Sequence, residues 1–287
     1  MNNITLGKYV PYDSLIHKLD PRSKLLSMVI LMVCIFLKFS SVAMNFFVYA
    51  LLFIFIYIVM RIAHIKLSML FKQLKAMWMM IIILLIVNML VKGDESMGTI
   101  NVFNTGWIIY YSAIYNTLYI VFRLIIMLGL TLVLTATTKP LELTNALEWY
   151  MKPLKVIKFP VHEIAMTISL ALRFIPTLLE ETDRIMKAQA SRGVDFQNGK
   201  MSEKIRAIIS LIVPLFISAL QRSEELANAM EARGYDPSAE RTKYRVSKWK
   251  VKDTISSLVI LIILGGCIAL MVTKIDVVSL IISLIMG

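Results

Sequence analysis

Long apolar runs alternate with polar connections along most of the chain. Residues 25–37 and 42–60 form the first two runs, parted only by Lys38 to Ser41, which demands a tight hairpin. A third run covers about 76–91, a fourth about 107–136 and a fifth about 255–273. A helix of roughly 20 mostly apolar residues crosses a bilayer, so each run predicts a transmembrane helix, the first a short one. A further apolar tail, 277–286, follows Lys274 and Asp276 and is too short to cross. The expected fold class is all-α, a polytopic membrane protein with about five transmembrane helices.

The segment between the fourth and fifth runs, 137–254, reads differently. Within it 162–192 starts apolar (Ile164, Ile168, Leu172, Ile175, Leu179) and ends charged (Glu180, Glu181, Asp183, Arg184, Lys187). Residues 205–233 do the same. Ile205, Ile208, Ile212, Leu215, Ala219, Leu226 and Met230 recur at helical spacing, and Arg222, Glu224, Glu225 and Glu231 gather toward the end. Both predict long helices, each about 40 Å at 1.5 Å per residue. Pro176 and Pro214 fall inside them, where a missing N–H kinks a helix; each is a candidate hinge or a static bend.

Charge supplies the orientation. The net charge of +12 fits either a nucleic-acid binder or basic cytoplasmic loops. Apolar runs of membrane length decide for the loops, so no nucleic-acid partner is expected. The chain is 58% hydrophobic and 17% charged, a departure from soluble composition in the same direction. Lys8, Lys18, Arg22 and Lys24 precede the first run, and Arg61, Lys66, Lys72 and Lys75 lie in the second connection. The 92–106 connection carries Lys92 against Asp94 and Glu95, with Gly93, Gly98 and Gly106, which suits an external loop. The positive-inside rule then makes the N-terminus cytoplasmic. Four parts are expected: a cytoplasmic N-terminal segment 1–24, transmembrane helices 25–136, a cytoplasmic domain 137–254, and a last transmembrane helix with its tail, 255–287. If 162–179 and 205–221 crossed the membrane, Arg184, Lys187, Arg192, Lys200 and Lys204 would lie outside. Both are therefore expected to stay cytoplasmic or to dip shallowly into the interface. The first 24 residues hold no signal-like apolar run, so the N-terminus is expected to be retained.

Chemistry concentrates at two helix ends. The first reads Ser191-Arg192-Gly193-Val194-Asp195, the second Ala232-Arg233-Gly234-Tyr235-Asp236, followed by Pro237. Each is a small residue, Arg, Gly, any residue, Asp. Glycine just past a helix accepts the left-handed conformation that closes it. Arginine beside it meets the negative helix end and carries a donor fork for carboxylates. One Arg-Gly end is an ordinary cap; two with one pattern in one segment read as a repeated device.

These residues resemble the T component of energy-coupling factor (ECF) transporters, the family that includes the cobalt-transporter membrane subunit. Its signature is X-Arg-Gly at the ends of two coupling helices, matched by Ser191-Arg192-Gly193 and Ala232-Arg233-Gly234. Thr137-Thr138-Lys139-Pro140, Pro160-Val161-His162-Glu163, Leu172-Arg173-Phe174-Ile175-Pro176 and Leu19-Asp20-Pro21-Arg22 are also similar to the family, as are Gly234-Tyr235 and Arg241-Thr242. The likeness runs from about residue 10 to 250. It implies a non-catalytic subunit of an importer for vitamins or other micronutrients in the cell membrane. Its partners would be two ABC ATPase subunits, which bind ATP and Mg, and a small membrane S component that carries the substrate. Each signature Arg would enter an acidic groove on one ATPase, with Asp195, Tyr235 and Asp236 supporting the helix ends. The alternative is the permease subunit of a conventional ABC importer, which would show a single coupling loop.

Other residues suggest no second chemistry. No cofactor is expected on this chain, which has no phosphate-binding Gly-Lys-Ser/Thr loop. His17, His64 and His162 are isolated, without metal spacing. Cys34 and Cys267 read as buried hydrophobes. The five runs hold no Asp or Glu, which argues against a secondary transporter. Arg123, inside the fourth run, is expected to bond helix carbonyls or a Ser, Thr or Asn neighbour, or to grip a partner; Asn88 is expected to bond between helices.

Overall fold

The structure is a computed structural model, described here for residues 12–39, 41–90, 99–102, 107–196, 200–236 and 249–273. The expectations for Pro237, for Arg241-Thr242, for the glycines of the 92–106 loop and for the tail 277–286 lie outside these residues. The chain forms two compact units, Met1–Lys139 with Ser247–Gly287, and Pro140–Val246. The first holds α1 (Pro21–Phe36), α2 (Val42–Ile62), α3 (Leu67–Ala76), α4 (Trp78–Leu90), β1 (Thr99–Val102), β2 (Trp107–Tyr110), α5 (Tyr111–Thr137) and the last helix, Val251–Thr273. The second holds α6 (Pro140–Met151), a 3₁₀ turn at Lys152–Ile157, α7 (Val161–Ser191) and α8 (Met201–Ala232). The last helix is α9 in chain order.

The first unit is a helix cluster around α5, against which α1, α2, α3 and α4 pack, with α9 against α1. Its core joins Leu31 and Ile35 of α1, Tyr49, Leu52 and Ile56 of α2, Ile126 and Leu132 of α5, and Ile260 of α9. Gly129 of α5 makes room for this. A Cβ there would stand 3.0 Å from the Ile56 Cγ2 and 3.3 Å from the Leu70 Cδ1, the small-residue approach typical of membrane helices. The tight hairpin expected between the first two runs is present, and Asn45 ties it. Its Oδ1 accepts from the Phe39 N–H at 3.1 Å, and its Nδ2 donates to the Ser41 carbonyl at 2.9 Å.

The helical class holds, with additions that periodicity did not predict. β1 and β2 form an antiparallel hairpin, Thr99 opposite Tyr110 and Val102 opposite Trp107. It takes up the start of the fourth apolar run, where Trp-Ile-Ile-Tyr favours extended backbone. The third run forms a short helix that continues a preceding one, α3, which lies in the 61–75 connection read as a loop. α4 has 13 residues, about 20 Å at 1.5 Å per residue, and it bends 57° from α3 at Met77. The first helix begins at Pro21, four residues earlier than its apolar run, because Asp20 caps it by accepting from the Arg22 N–H at 2.9 Å.

That early start lets the chain's two ends close on each other. Asp253, in the first turn of α9, is 1% exposed. Its Oδ1 accepts from the Asp20 N–H at 2.7 Å and its Oδ2 from the Lys250 N–H at 2.8 Å. The Ser23 and Ser257 hydroxyls meet at 3.1 Å beside it. Lys24, read as part of a cytoplasmic segment, is buried. Its Nζ donates to the Thr137 carbonyl at 2.9 Å and to the His17 carbonyl at 3.2 Å. A cation on the last carbonyls of a helix satisfies groups the helix itself cannot. By length and apolar character alone, α2, α5, α7 and α9 could each cross a bilayer, as could α3 and α4 together; the chain is a multi-pass membrane protein.

Candidate functional site

The two signature ends close by the same hydrogen bonds. At the end of α7 the Gly193 N–H donates to the Ala190 carbonyl at 3.0 Å and the Val194 N–H to the Gln189 carbonyl at 3.1 Å. At the end of α8 the Gly234 N–H donates to the Glu231 carbonyl at 2.9 Å and the Tyr235 N–H to the Met230 carbonyl at 3.0 Å. Each pair is a Schellman closure, which needs a left-handed residue just past the helix. Gly193 (φ +88°) and Gly234 (φ +71°) supply it. Arg192 and Arg233 are the capping residues themselves, with matching backbone angles of φ −89°, ψ 8° and φ −91°, ψ 9°. Both side chains are exposed, and among the described residues neither guanidinium has a hydrogen-bond or ion-pair partner. The supporting residues differ: Asp195 and Asp236 are exposed, and Tyr235 is half-buried, its hydroxyl donating to the Met166 Sδ at 3.4 Å.

α7 and α8 run antiparallel, an arrangement no pattern along either helix announced. Met166 meets Tyr235, Thr177 meets Arg222, and Glu181 meets Ser218. The arginine of one helix therefore lies beside the start of the other. With Tyr235 held at Met166, the two arginines stand roughly 35–40 Å apart, the rise of α7 from residue 166 to 192.

A polar cluster holds the pair together mid-length. The Arg222 guanidinium donates to the Glu181 Oε2 at 3.0 Å and to the Thr177 Oγ1 at 3.0 Å, and the Ser218 hydroxyl donates to the Glu181 Oε1 at 2.6 Å. The charges are partly exposed, with 35% and 23% of their side-chain surface open, so the pair contributes at most about 1 kcal/mol. Its value is register: it fixes which turn of α7 faces which turn of α8. Sequence reading missed these partners. The signal available was a polar pair one turn apart on each helix, Thr177 with Glu181 and Ser218 with Arg222. Pro176 precedes Thr177, and Pro214 lies one turn before Ser218; both helices continue unbroken through them.

The faces of α8 also sort differently from the stripe read along it. Ala207, Pro214, Leu215, Ser218, Ala219, Leu226 and Met230 are the more buried positions, while Ile205, Ile208, Ile212, Phe216 and Leu220 are exposed. The more buried side mixes small residues (Ala207, Ser218, Ala219) with Leu215, Leu226 and Met230, and the exposed side is large and apolar. α6 packs on α7 near its start, where the His162 Nδ1 and Glu148 Oε1 are 3.6 Å apart. No group of three or more His, Cys, Asp or Glu that could hold a metal occurs among the described residues.

In the first unit, Asn88 makes the expected interhelical bond, donating to the Thr117 Oγ1 at 3.2 Å. Arg123 finds neither helix carbonyls nor a Ser, Thr or Asn. Its Nε donates to the Tyr49 hydroxyl at 3.2 Å and its Nη2 to the Tyr119 hydroxyl at 2.6 Å. The guanidinium also lies over the Tyr119 and Phe36 rings, 4.7 and 5.1 Å from their centroids. Tyrosines give a cation hydroxyl acceptors and π-faces without an acid.

The chain is similar to known proteins over most of its length. The family described as cobalt transport protein, CbiQ, matches residues 13–244. The energy-coupling factor transporter transmembrane protein EcfT of Bacillus subtilis is 43% identical over 267 residues, covering 93% of this chain and 97% of that protein. Its namesake in Macrococcus caseolyticus is 42% identical over 265 residues, 91% and 96% covered. That of Lactococcus lactis is 38% identical over 278 residues, 96% and 100% covered. Both signatures fall inside the matched region, and the chain belongs to the CbiQ/EcfT family of energy-coupling factor transporter transmembrane proteins.

Proposed function

We propose that this chain is the coupling subunit of an ATP-driven importer for vitamins or other micronutrients, itself without catalytic activity. Arg192 and Arg233 each engage an acidic groove on one of two cytoplasmic ATPase subunits, which bind the ATP and Mg. α7 and α8 carry the resulting motion to a small membrane S component that holds the substrate. The N-terminus and residues 137–254 lie on the cytoplasmic side, where the ATPases are. α7 is long and apolar enough to cross a bilayer, yet its second half carries Glu180, Glu181, Asp183, Arg184 and Lys187. Burying those charges in lipid is costly, which supports a place outside the hydrocarbon.

One observation carries this reading. Two arginines, unpartnered among the described residues, sit on identically closed helix ends, at opposite ends of one antiparallel pair. Two equal plugs roughly 35–40 Å apart suit two related sockets, and Arg presents a rigid fork for carboxylates. A pair tied mid-length by Glu181, Ser218 and Arg222 moves as a lever about that tie, with Pro176 and Pro214 as the bendable points beside it.

Substitution of the arginines tests it. Arg192→Ala and Arg233→Ala should each lower ATPase co-purification about tenfold or more, the loss typical of truncating one member of a desolvated charge pair. Glu at either position should be worse than Ala, and the double variant should abolish uptake in cells. Wild-type uptake by the double variant would remove the proposal.

A further inference from the structure

The turn between α2 and α3 forms a pocket of about 630 Å³ lined by Tyr12, Arg61, His64, Ile65, Lys66 and Leu67. Three of these six can carry positive charge, and none is acidic. Among the described residues, the side chains of Arg61, His64 and Lys66 have no hydrogen-bond or ion-pair partner, and all three are exposed. The N-terminus of α3 opens on the same place. Its capping residue is Lys66, which makes no side-chain cap bond, so the first N–H groups of a ten-residue helix add their partial positive charge.

The backbone at His64 strengthens the case. α2 closes as α7 and α8 do: the His64 N–H donates to the Arg61 carbonyl at 3.1 Å and the Ile65 N–H to the Met60 carbonyl at 2.9 Å. The left-handed residue in the α7 and α8 closures is glycine, and in the 3₁₀ turn Lys152–Ile157, which closes by the same pair of bonds, it is Lys158. Here it is His64, at φ +57°, a conformation a side chain makes unfavourable. The imidazole held there lines the pocket and lies against the Tyr12 ring, centroids 5.7 Å apart. Strain kept at a position with a polar side chain points to a use for that side chain.

The surroundings name the ligand. Arg61 is in the last turn of α2, a 21-residue apolar helix of membrane length. α3 is amphipathic: Leu70 enters the core, while Phe71 is 62% exposed beside exposed Lys72 and Lys75. A short helix with an outward aromatic and flanking lysines lies in the headgroup layer of a bilayer. We propose that this pocket binds the phosphate of an anionic phospholipid headgroup, seating α3 and the α2 end at a fixed depth.

Native mass spectrometry of the full-length chain, delipidated in neutral detergent, tests this against dioleoyl phosphatidylglycerol, dioleoyl phosphatidylcholine and inorganic phosphate. The chain should retain one phosphatidylglycerol in clear preference to phosphatidylcholine, and millimolar inorganic phosphate should not displace it. The double variant Arg61→Gln, Lys66→Gln should weaken retention about tenfold, as expected for two charges near an anionic headgroup. Lys152→Gln with Lys155→Gln, exposed lysines of the other unit, should leave retention unchanged. His64→Gly relaxes the backbone, so it should keep or raise thermal stability while weakening retention, a combination that a purely structural His64 would not give. Equal retention of the two lipids, equal losses in both double variants, or displacement by inorganic phosphate would overturn the proposal. So would a pocket variant that keeps the lipid but loses co-purifying ATPases, which would make this a protein contact.

Discussion

Asp253 shows how much one carboxylate can hold in this protein. It is buried, accepts one backbone N–H from its own turn (Lys250) and one from distant Asp20, and so starts α9 while gripping the cap of α1. Asp253→Ala should lower stability by about 3 kcal/mol, since bonds to a charged acceptor contribute roughly 1.5–3 kcal/mol each and the orphaned donors are costly when buried. The measurement is thermal unfolding in detergent followed by a thiol-reactive dye. Cys34 and Cys267 are both buried, so labelling reports opening of the α1–α9 contact. An unchanged midpoint would show that the two ends do not depend on this side chain. At the same scale, the role of Arg123 was only half legible. Its burial signalled a partner, but Tyr49 and Tyr119 come from different helices, and Tyr49 lies 74 residues away.

At the level of elements, the closure of α7 and α8 separates two duties that share one motif. Glycine serves the backbone and arginine serves the outside. A Cβ at Gly193 or Gly234 would touch nothing within 4 Å, so Gly→Ala costs only the left-handed strain, about 1 kcal/mol. Each Gly→Ala variant should weaken ATPase association less than the corresponding Arg→Ala variant, and Gly→Asn less still, because Asn tolerates this conformation. Co-purification across the three substitutions gives the order. If Gly→Ala proves as damaging as Arg→Ala, the arginine acts mainly through helix closure. Periodicity made both helices legible to within a few residues. The bend at Met77 and the strand hairpin were not legible, because neither follows from the period of apolar positions.

At the scale of the whole molecule, large apolar side chains stand exposed among the described residues. Ile205, Ile208, Ile212, Phe216 and Leu220 line the outer side of α8 with about half their surface or more exposed. Such a patch marks a partner or a lipid contact. Changing Ile212, Phe216 and Leu220 to Ser should release a membrane S component while sparing ATPase association, because the arginine ends are untouched. Pull-down of both kinds of partner checks this, and loss of the ATPases with retention of the membrane protein would reverse the assignment. What the sequence determined by itself was local: which stretches are apolar enough for lipid, which turns end in Arg-Gly, and that two such ends exist. Helical period and glycine's backbone freedom are written residue by residue. Tertiary structure alone decided that α7 and α8 run antiparallel, that Asp253 and Lys24 close the first unit, and that His64 stands where the α7 and α8 closures use glycine. In lipid, apolar surface does not choose its neighbour. Helix pairing there rests on small residues such as Gly129 and on hydrogen bonds between distant positions, whose partners no run of adjacent residues reveals.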